Sequence, residues 1–226
     1  MFLESPIGAS ILGIVQGLSW YALVWLLIRF IEKQPCALRN LGLTLNRRSF
    51  TLTISGFLLG LLMYYGYFIA GSILGQPQFA WSPARLGIIP IILVSLDMLA
   101  NGFGEETAFR AFWQRLVVDR HGLWFGIFLA STSFVVLHLL MAHFTAIALL
   151  ASILLACLYG ILYVWTDSVF LVGAMHAIFN LAPRLLDQWP SDIGLLVVNG
   201  LALVIAVIAF VSKEDRRPIT SWVPSR

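Results

Sequence analysis

Two carboxylates and a guanidinium stand close together in Gly104-Glu105-Glu106-Thr107-Ala108-Phe109-Arg110, within a stretch otherwise apolar enough to lie in lipid. A charge at bilayer depth costs at least about 2.5–3.5 kcal/mol, so such groups are paired, turned inward or set along a wet cavity. On a helix Glu106 and Arg110 are four residues apart with the acid first, the favourable order for an ion pair. Glu105 lies roughly 100° round the axis from Glu106 and is left free to face a neighbouring helix. Two further apolar runs carry His138 and His176, and Asn180 follows His176 by four residues on the same face. An uncommitted acid, two imidazoles and an amide could move protons on and off a bound molecule. The plainer use of each, taken alone, is a hydrogen bond between helices. His121 and His143 lie in or near polar turns, where a solvated histidine needs no special role.

Whether these groups meet depends on the helices that carry them. Glu105 lies 16 residues before His121 and His138 lies 17 after it, so antiparallel helices joined at Asp119-Arg120-His121-Gly122 bring both side chains to one depth. The composition fits that picture. Of 226 residues, 60% are hydrophobic and only 11% charged, far from the balance of a soluble domain. Apolar runs of spanning length cover roughly residues 7–28, 52–74, 86–118, 123–141, 145–165, 169–186 and 193–211. The expectation is an all-α, polytopic membrane helix bundle of about seven transmembrane helices, with six to eight compatible with the pattern. No linker or internal repeat divides residues 1–226, so one integral membrane domain is expected.

The third run is longer than a hydrocarbon core and must tilt, kink or protrude, with Gly102 and Gly104 as the places for a bend or a close helix approach. Asp97, Asn101 and Glu105 repeat along it every four residues, forming either a hydrogen-bonded seam or a wet path to Glu105. Pro183 does not have to end the sixth run. With seven spans, the loop holding Arg29, Lys33, Arg39, Arg47 and Arg48, the Arg115/Arg120 turn and the Lys213/Arg216/Arg217 tail share one side. Only Arg85 and Arg184 fall opposite, so the positive-inside rule puts the N-terminus outside and the C-terminus in the cytoplasm, in a bacterial plasma membrane. Because the basic residues set orientation, the net charge of +3 does not indicate nucleic acid as a partner. The N-terminus lacks the positive region of a cleavable signal peptide, so the first span is expected to stay. Cys36 and Cys157 show no disulfide framework or ligand spacing.

Glu105-Glu106 with Arg110 reads as EExxxR, Phe134 with His138 as FxxxH, and His176 with Asn180 as HxxxN. In this order, on separate spans, the motifs resemble those of the CPBP family of intramembrane peptidases. That family includes the type II CAAX prenyl endopeptidases and bacterial proteins linked to bacteriocin processing or self-immunity. The resemblance covers about residues 86–186, and the outer spans match only as generic hydrophobic helices. It implies an integral membrane endopeptidase acting on a membrane-associated, prenylated or leader peptide or on another membrane protein, at membrane lipid.

Such a constellation permits peptide hydrolysis by an activated water. A carboxylate withdrawn from bulk water is suited to accept a proton from water near neutral pH, and Glu105 is the candidate base. His138 would hold the water and pass a proton to the leaving amine. His176 and Asn180 would donate to the oxyanion, a role worth about 2.7–4 kcal/mol per donor. Glu106 and Arg110 would fix the helix and tune the site, with Phe134 in support. The same atoms also suit a metal: Glu105, His138 and His176 form the ligand set of one common catalytic zinc site, with Glu106 then the base. Metal and metal-free readings both stand at this point, and the cofactor is open. A serine or cysteine nucleophile is disfavoured, because Ser131, Ser133 and Ser152 lack glycine-flanked context and Cys157 lacks a base nearby in sequence. The rival from another class is a transporter, immunity protein or scaffold keeping the same polar core; paired broken helices and repeats, the marks of a transporter, are not seen.

Overall fold

A computed structural model describes residues 6–30, 41–76, 86–139 and 144–212. Glu32, Lys33, Cys36, Arg39, Arg85, His143 and the Lys213/Arg216/Arg217 tail lie outside the described residues. The elements are α1 (Pro6–Phe30), α2 (Arg47–Ile73), α3 (Ile88–Glu106), a π-helical segment (Thr107–Gln114), α4 (Arg115–His121), α5 (Leu123–Leu139), α6 (Ala146–Thr166), α7 (Val169–Leu186) and α8 (Asp192–Ser212). Because α3, the π segment and α4 run on as one rod, the described chain has seven apolar helical units, as the hydrophobic runs predict. Among the described residues six are long and apolar enough to cross a membrane, and α5 is described over 17 apolar residues. The protein is an all-helical integral membrane protein.

Lipid as solvent explains this architecture. Every backbone N–H and C=O must be satisfied within the chain, which a helix does by itself. The surface then stays apolar: α1 presents Leu12, Val15, Leu18 and Trp25 outward, and α8 presents Leu201, Val204, Ile205 and Ile208. Since lipid tails are as apolar as leucine, helices associate through close packing and polar contacts. The rod pairs with α1 and α7, α7 with α2, α2 with α8, α8 with α6, and α6 with α5, which returns to the rod. α7 is the most enclosed, with 56% of its central window buried against 17% for α1 and for α8.

Small residues allow these approaches. A Cβ added to Gly104 would fall inside the van der Waals shell of the Gly17 carbonyl on α1, and one added to Gly102 would meet the α7 backbone at Ala177, 2.8 Å away. The two glycines of the rod are therefore contact points for helices on either side. Buried polar pairs add to the packing: Tyr67 on α2 donates to Asn199 Oδ1 on α8 (2.9 Å), and Asn199 Nδ2 donates to the Ala151 carbonyl on α6 (3.0 Å).

Local signals set the ends. α2 starts at Arg47, several residues before its apolar run, because Asn46 and Ser49 form a reciprocal capping box. The expected polar turn at Asp119-Arg120-His121 is instead helical through His121, and the chain reverses at Gly122, whose φ of 88° suits glycine alone. Arg120 and His121 thus close the helix end, where basic side chains complement its negative pole. Pro183 sits within α7, which runs on to Leu186 and closes on Asp187, whose N–H donates to the Pro183 carbonyl.

Replacing Gly104 by leucine is expected to push α1 off the rod and lower stability by about 1–3 kcal/mol, as overpacking does. Gly66→Ala, where the nearest atom is 3.7 Å away, should leave the melting temperature of the detergent-solubilised protein close to wild type. Equal melting of both variants would show that the α1 contact is not tight.

Candidate functional site

The site lies where the rod, α5 and α7 meet. Glu105 and Glu106 are the last residues of α3, at the junction with the π segment. The wider i→i+5 turn slows the rotation of side chains about the axis, and π turns gather at functional sites. Through it Glu106, Arg110 and Gln114 all stay buried, at 0%, 0% and 1% exposure. An uninterrupted α-helix was the basis for reading Glu106 and Arg110 as a pair. Their ion pair does form, Arg110 Nε to Glu106 Oε2 at 2.9 Å, across a π turn that apolar periodicity does not reveal.

Both oxygens of Glu106 are engaged. Oε2 takes the Arg110 hydrogen bond, and Oε1 accepts one from His176 Nδ1 on α7 at 2.9 Å. Since the carboxylate accepts, His176 carries its proton on Nδ1 and turns Nε2 the other way. That nitrogen faces Glu105 Oε2 at 3.7 Å. On α5, His138 Nδ1 donates to the Phe134 carbonyl at 2.9 Å, which likewise leaves Nε2 to face outward from its own helix. It too stands 3.7 Å from Glu105 Oε2. One carboxylate oxygen, buried and without a hydrogen-bond partner, is thus shared by two imidazole nitrogens just beyond direct bonding distance.

An aromatic wall encloses the group. Phe134 lies against His138 with ring centroids 4.3 Å apart and edge-on to His176 at 5.7 Å, and the Arg110 guanidinium sits 5.5 Å from its ring centre. Tyr159 on α6 flanks His176. Exposure is graded: the side chains of Glu106 and Arg110 are sealed, while that of His138 is 34% exposed. Of the two acids, the arginine and the two imidazoles, His138 is the most exposed.

The fold gathers Glu105, Glu106, Arg110, Phe134, His138 and His176 from three separate elements. Asn180 lies one turn beyond His176 on α7; its carbonyl accepts from Arg184, and among the described residues its side chain makes no hydrogen bond. His121, at the far end of the rod, stacks on Phe125 and is remote from the group. Asp97 and Asn101 do form a seam: Asn101 Nδ2 donates to Asp97 Oδ1 (2.6 Å) and to the Gly13 carbonyl on α1 (2.8 Å). Ser131 has a contact that sequence reading missed, its Oγ accepting from Arg110 Nη1 at 3.2 Å. The available signal was its place seven residues before His138, on the same face of α5.

Zinc requires its ligand atoms at about 2.0–2.2 Å from one point. Among the described residues no group of three His, Cys, Asp or Glu side chains is arranged to hold a metal ion. The zinc reading of Glu105, His138 and His176 therefore lacks support from the donor geometry, and no step below passes through a metal.

The class that fold and site define is an integral membrane helix bundle with a Glu–His–His cluster held between its helices. Residues 87–182 match the family described as type II CAAX prenyl endopeptidase Rce1-like, a span that takes in all three motifs. That match bears out the CPBP recognition and indicates a CAAX protease-like peptidase. No curated protein and no solved structure matches the chain.

Arg110→Met is expected to strip a sealed carboxylate of its counter-ion and destabilise the protein by about 3–5 kcal/mol. The double variant Glu106→Leu/Arg110→Met should recover part of that loss, because no charge is then left alone. Thermal unfolding of the four proteins in detergent checks the cycle; additive losses would show that the two groups act separately.

Proposed function

We propose that this chain hydrolyses a peptide bond of a membrane-associated substrate with a water activated by Glu105. The observation that carries the reading is the uncommitted Glu105 Oε2 facing two imidazole nitrogens at 3.7 Å each. A water between them finds a carboxylate to take one proton and an imidazole to accept the other hydrogen bond, leaving its lone pair for the substrate carbonyl. The new C–O bond forms as Glu105 takes the proton. The C–N bond then breaks, and the amine leaves with a proton relayed through His138, the half-exposed group at the mouth. His176 is oriented by Glu106, and when its ring carries both protons Nε2–H donates to the oxyanion; Asn180, a turn away, is the second donor. Glu106, with both oxygens occupied, orients rather than attacks, and Arg110 and Phe134 keep it in place.

The Rce1-like match of residues 87–182 supports this chemistry and a peptide substrate at the membrane, whether prenylated tail, leader peptide or membrane protein. Arg47 and Arg48 open α2, and Arg115 and Arg120 lie toward the end of the rod. These positions agree with a cytoplasmic basic end, and so with the N-terminus outside and the C-terminus inside.

In a cleavage assay on a membrane-peptide library, Glu105→Gln should abolish turnover while shifting the melting temperature little, since it removes no hydrogen bond seen in the fold. His176→Ala and Asn180→Ala should each lower kcat by about 10²–10³-fold, the cost of one oxyanion donor. Cleavage by the Glu105→Gln protein would remove the proposed base.

The glutamate reading also expects activity to survive exhaustive chelation, with less than one equivalent of transition metal per purified chain. Loss on chelation and recovery with zinc would overturn it.

A further inference from the structure

We propose that the cleft between the start of α2 and the α6–α7 turn binds the headgroup of a phospholipid bearing a primary amine, with the phosphate on Arg48 and the ammonium on Asp167. Among the described residues this cleft encloses about 290 Å³ and is lined by Thr44, Asn46, Arg48, Ser49, Asp167 and Ser168, with Leu52 as its apolar wall. That volume is close to the lower end, about 300 Å³, of the range of small-molecule sites. The cleft is distinct from the Glu105 cluster, since His176 lies eight residues, about 12 Å, further along α7 than Ser168. It is also built rather than incidental. A Cβ added to Gly42 would stand 3.1 Å from the Asp167 carbonyl, so the segment leading into α2 is pressed against the turn, and Arg48 spans the cleft to donate to the Thr166 carbonyl at 2.6 Å.

Depth and chemistry select the occupant. The 27 residues of α2 measure about 40 Å, close to the thickness of a bilayer with its headgroup layers, so the first turn of the helix lies at headgroup level. Leu45 and Phe50, chain neighbours of the lining residues, are 84% and 67% exposed, which suits the boundary with acyl chains and not bulk water. Within the cleft Asn46 and Ser49 are spent on each other in the capping box. Arg48 gives one of its five donors to Thr166, and its planar fork matches phosphate oxygens with the rest. Ser168 Oγ accepts from the Phe170 N–H at 3.3 Å and keeps its own hydrogen for a phosphate. Asp167 sets a carboxylate beside this cation, so the complement is a zwitterion. An anionic headgroup would bring its charge up to that carboxylate with nothing in return. A choline has no N–H to donate and is held by aromatic cages, and among the described residues none that lines the cleft is aromatic. A primary ammonium, with three N–H donors, fits Asp167 and the Thr44 hydroxyl.

The test uses the full chain, stripped of lipid in detergent and offered synthetic phospholipids with identical oleoyl chains; native mass spectrometry reads the lipid retained by the folded protein. Phosphatidylethanolamine should be held about ten-fold more tightly than phosphatidylcholine or phosphatidylglycerol, the ratio set by one charge-assisted contact made or lost. Arg48→Gln and Asp167→Asn should each remove that preference, and Arg48→Lys should return part of it. An asparagine tolerates the left-handed backbone at that turn, where φ is 49°, so the second variant keeps the fold of the cleft. Arg120→Gln, which removes a cation outside the cleft, should leave the preference as it is. Equal retention of the three lipids by the unsubstituted protein, or an unchanged preference in both cleft variants, overturns the site. Tighter retention of phosphatidylglycerol overturns the zwitterionic complement. Glycerophosphoethanolamine binding as tightly as the intact lipid would make the occupant a soluble phosphate ester, and the lipid assignment then falls.

Discussion

Glu106 is a fully buried carboxylate at membrane depth, and the arrangement of the site follows from the need to meet its charge. An unpaired ion there would cost several kcal/mol, and two partners divide the task. Arg110 binds one oxygen from the same helix and His176 binds the other from α7. The first contact ties a π turn into its wide form; the second locks an imidazole in one tautomer and rotates its free nitrogen toward Glu105. A charge that would otherwise threaten the fold thus becomes the device that aims a reactive group. Ser131 extends the chain of contacts to α5, so the three elements carrying the motifs are joined through the Glu106–Arg110 pair.

Burial and residue size decide how open that network is. His138 on α5 keeps about a third of its side chain exposed, while His176 is buried beside Tyr159 of α6 and Phe134 of α5. Glycines at Gly102 and Gly104 let α7 and α1 approach the rod from two sides, which encloses Glu105 without a bulky side chain in the way. Glu105 is consequently enclosed and yet lies beside the partly exposed His138. The gradient from Arg110 at 0% exposure to His138 at 34% expresses the compromise between enclosure and entry.

The match of residues 87–182 to the Rce1-like family covers the rod, α5, α6 and most of α7, all the elements that build the cluster. The helices outside it, α1, α2 and α8, pack around that core and share the exposed apolar surface with α3, α5 and α6. This division explains why a peptidase core is legible in a chain whose outer helices read only as apolar spans.

Hydrophobic run length alone determined the seven apolar helices and their order, because lipid leaves a spanning segment no alternative to a helix. Four-residue spacing was enough to pair Glu106 with Arg110, and equal counting from His121 was enough to bring Glu105 and His138 to one depth, since rise per residue is a property of the backbone. Counting along the chain could not decide how the helices turn about their axes. The π segment, the engagement of Glu106 with His176, and the contact of Ser131 with Arg110 all depend on azimuth, which is set only when neighbouring helices pack. The same spacing already sets Glu105 apart as the free acid, but which groups it faces depends on packing: His176 closes the second oxygen of Glu106, and the imidazoles of His138 and His176 both come to Glu105 Oε2.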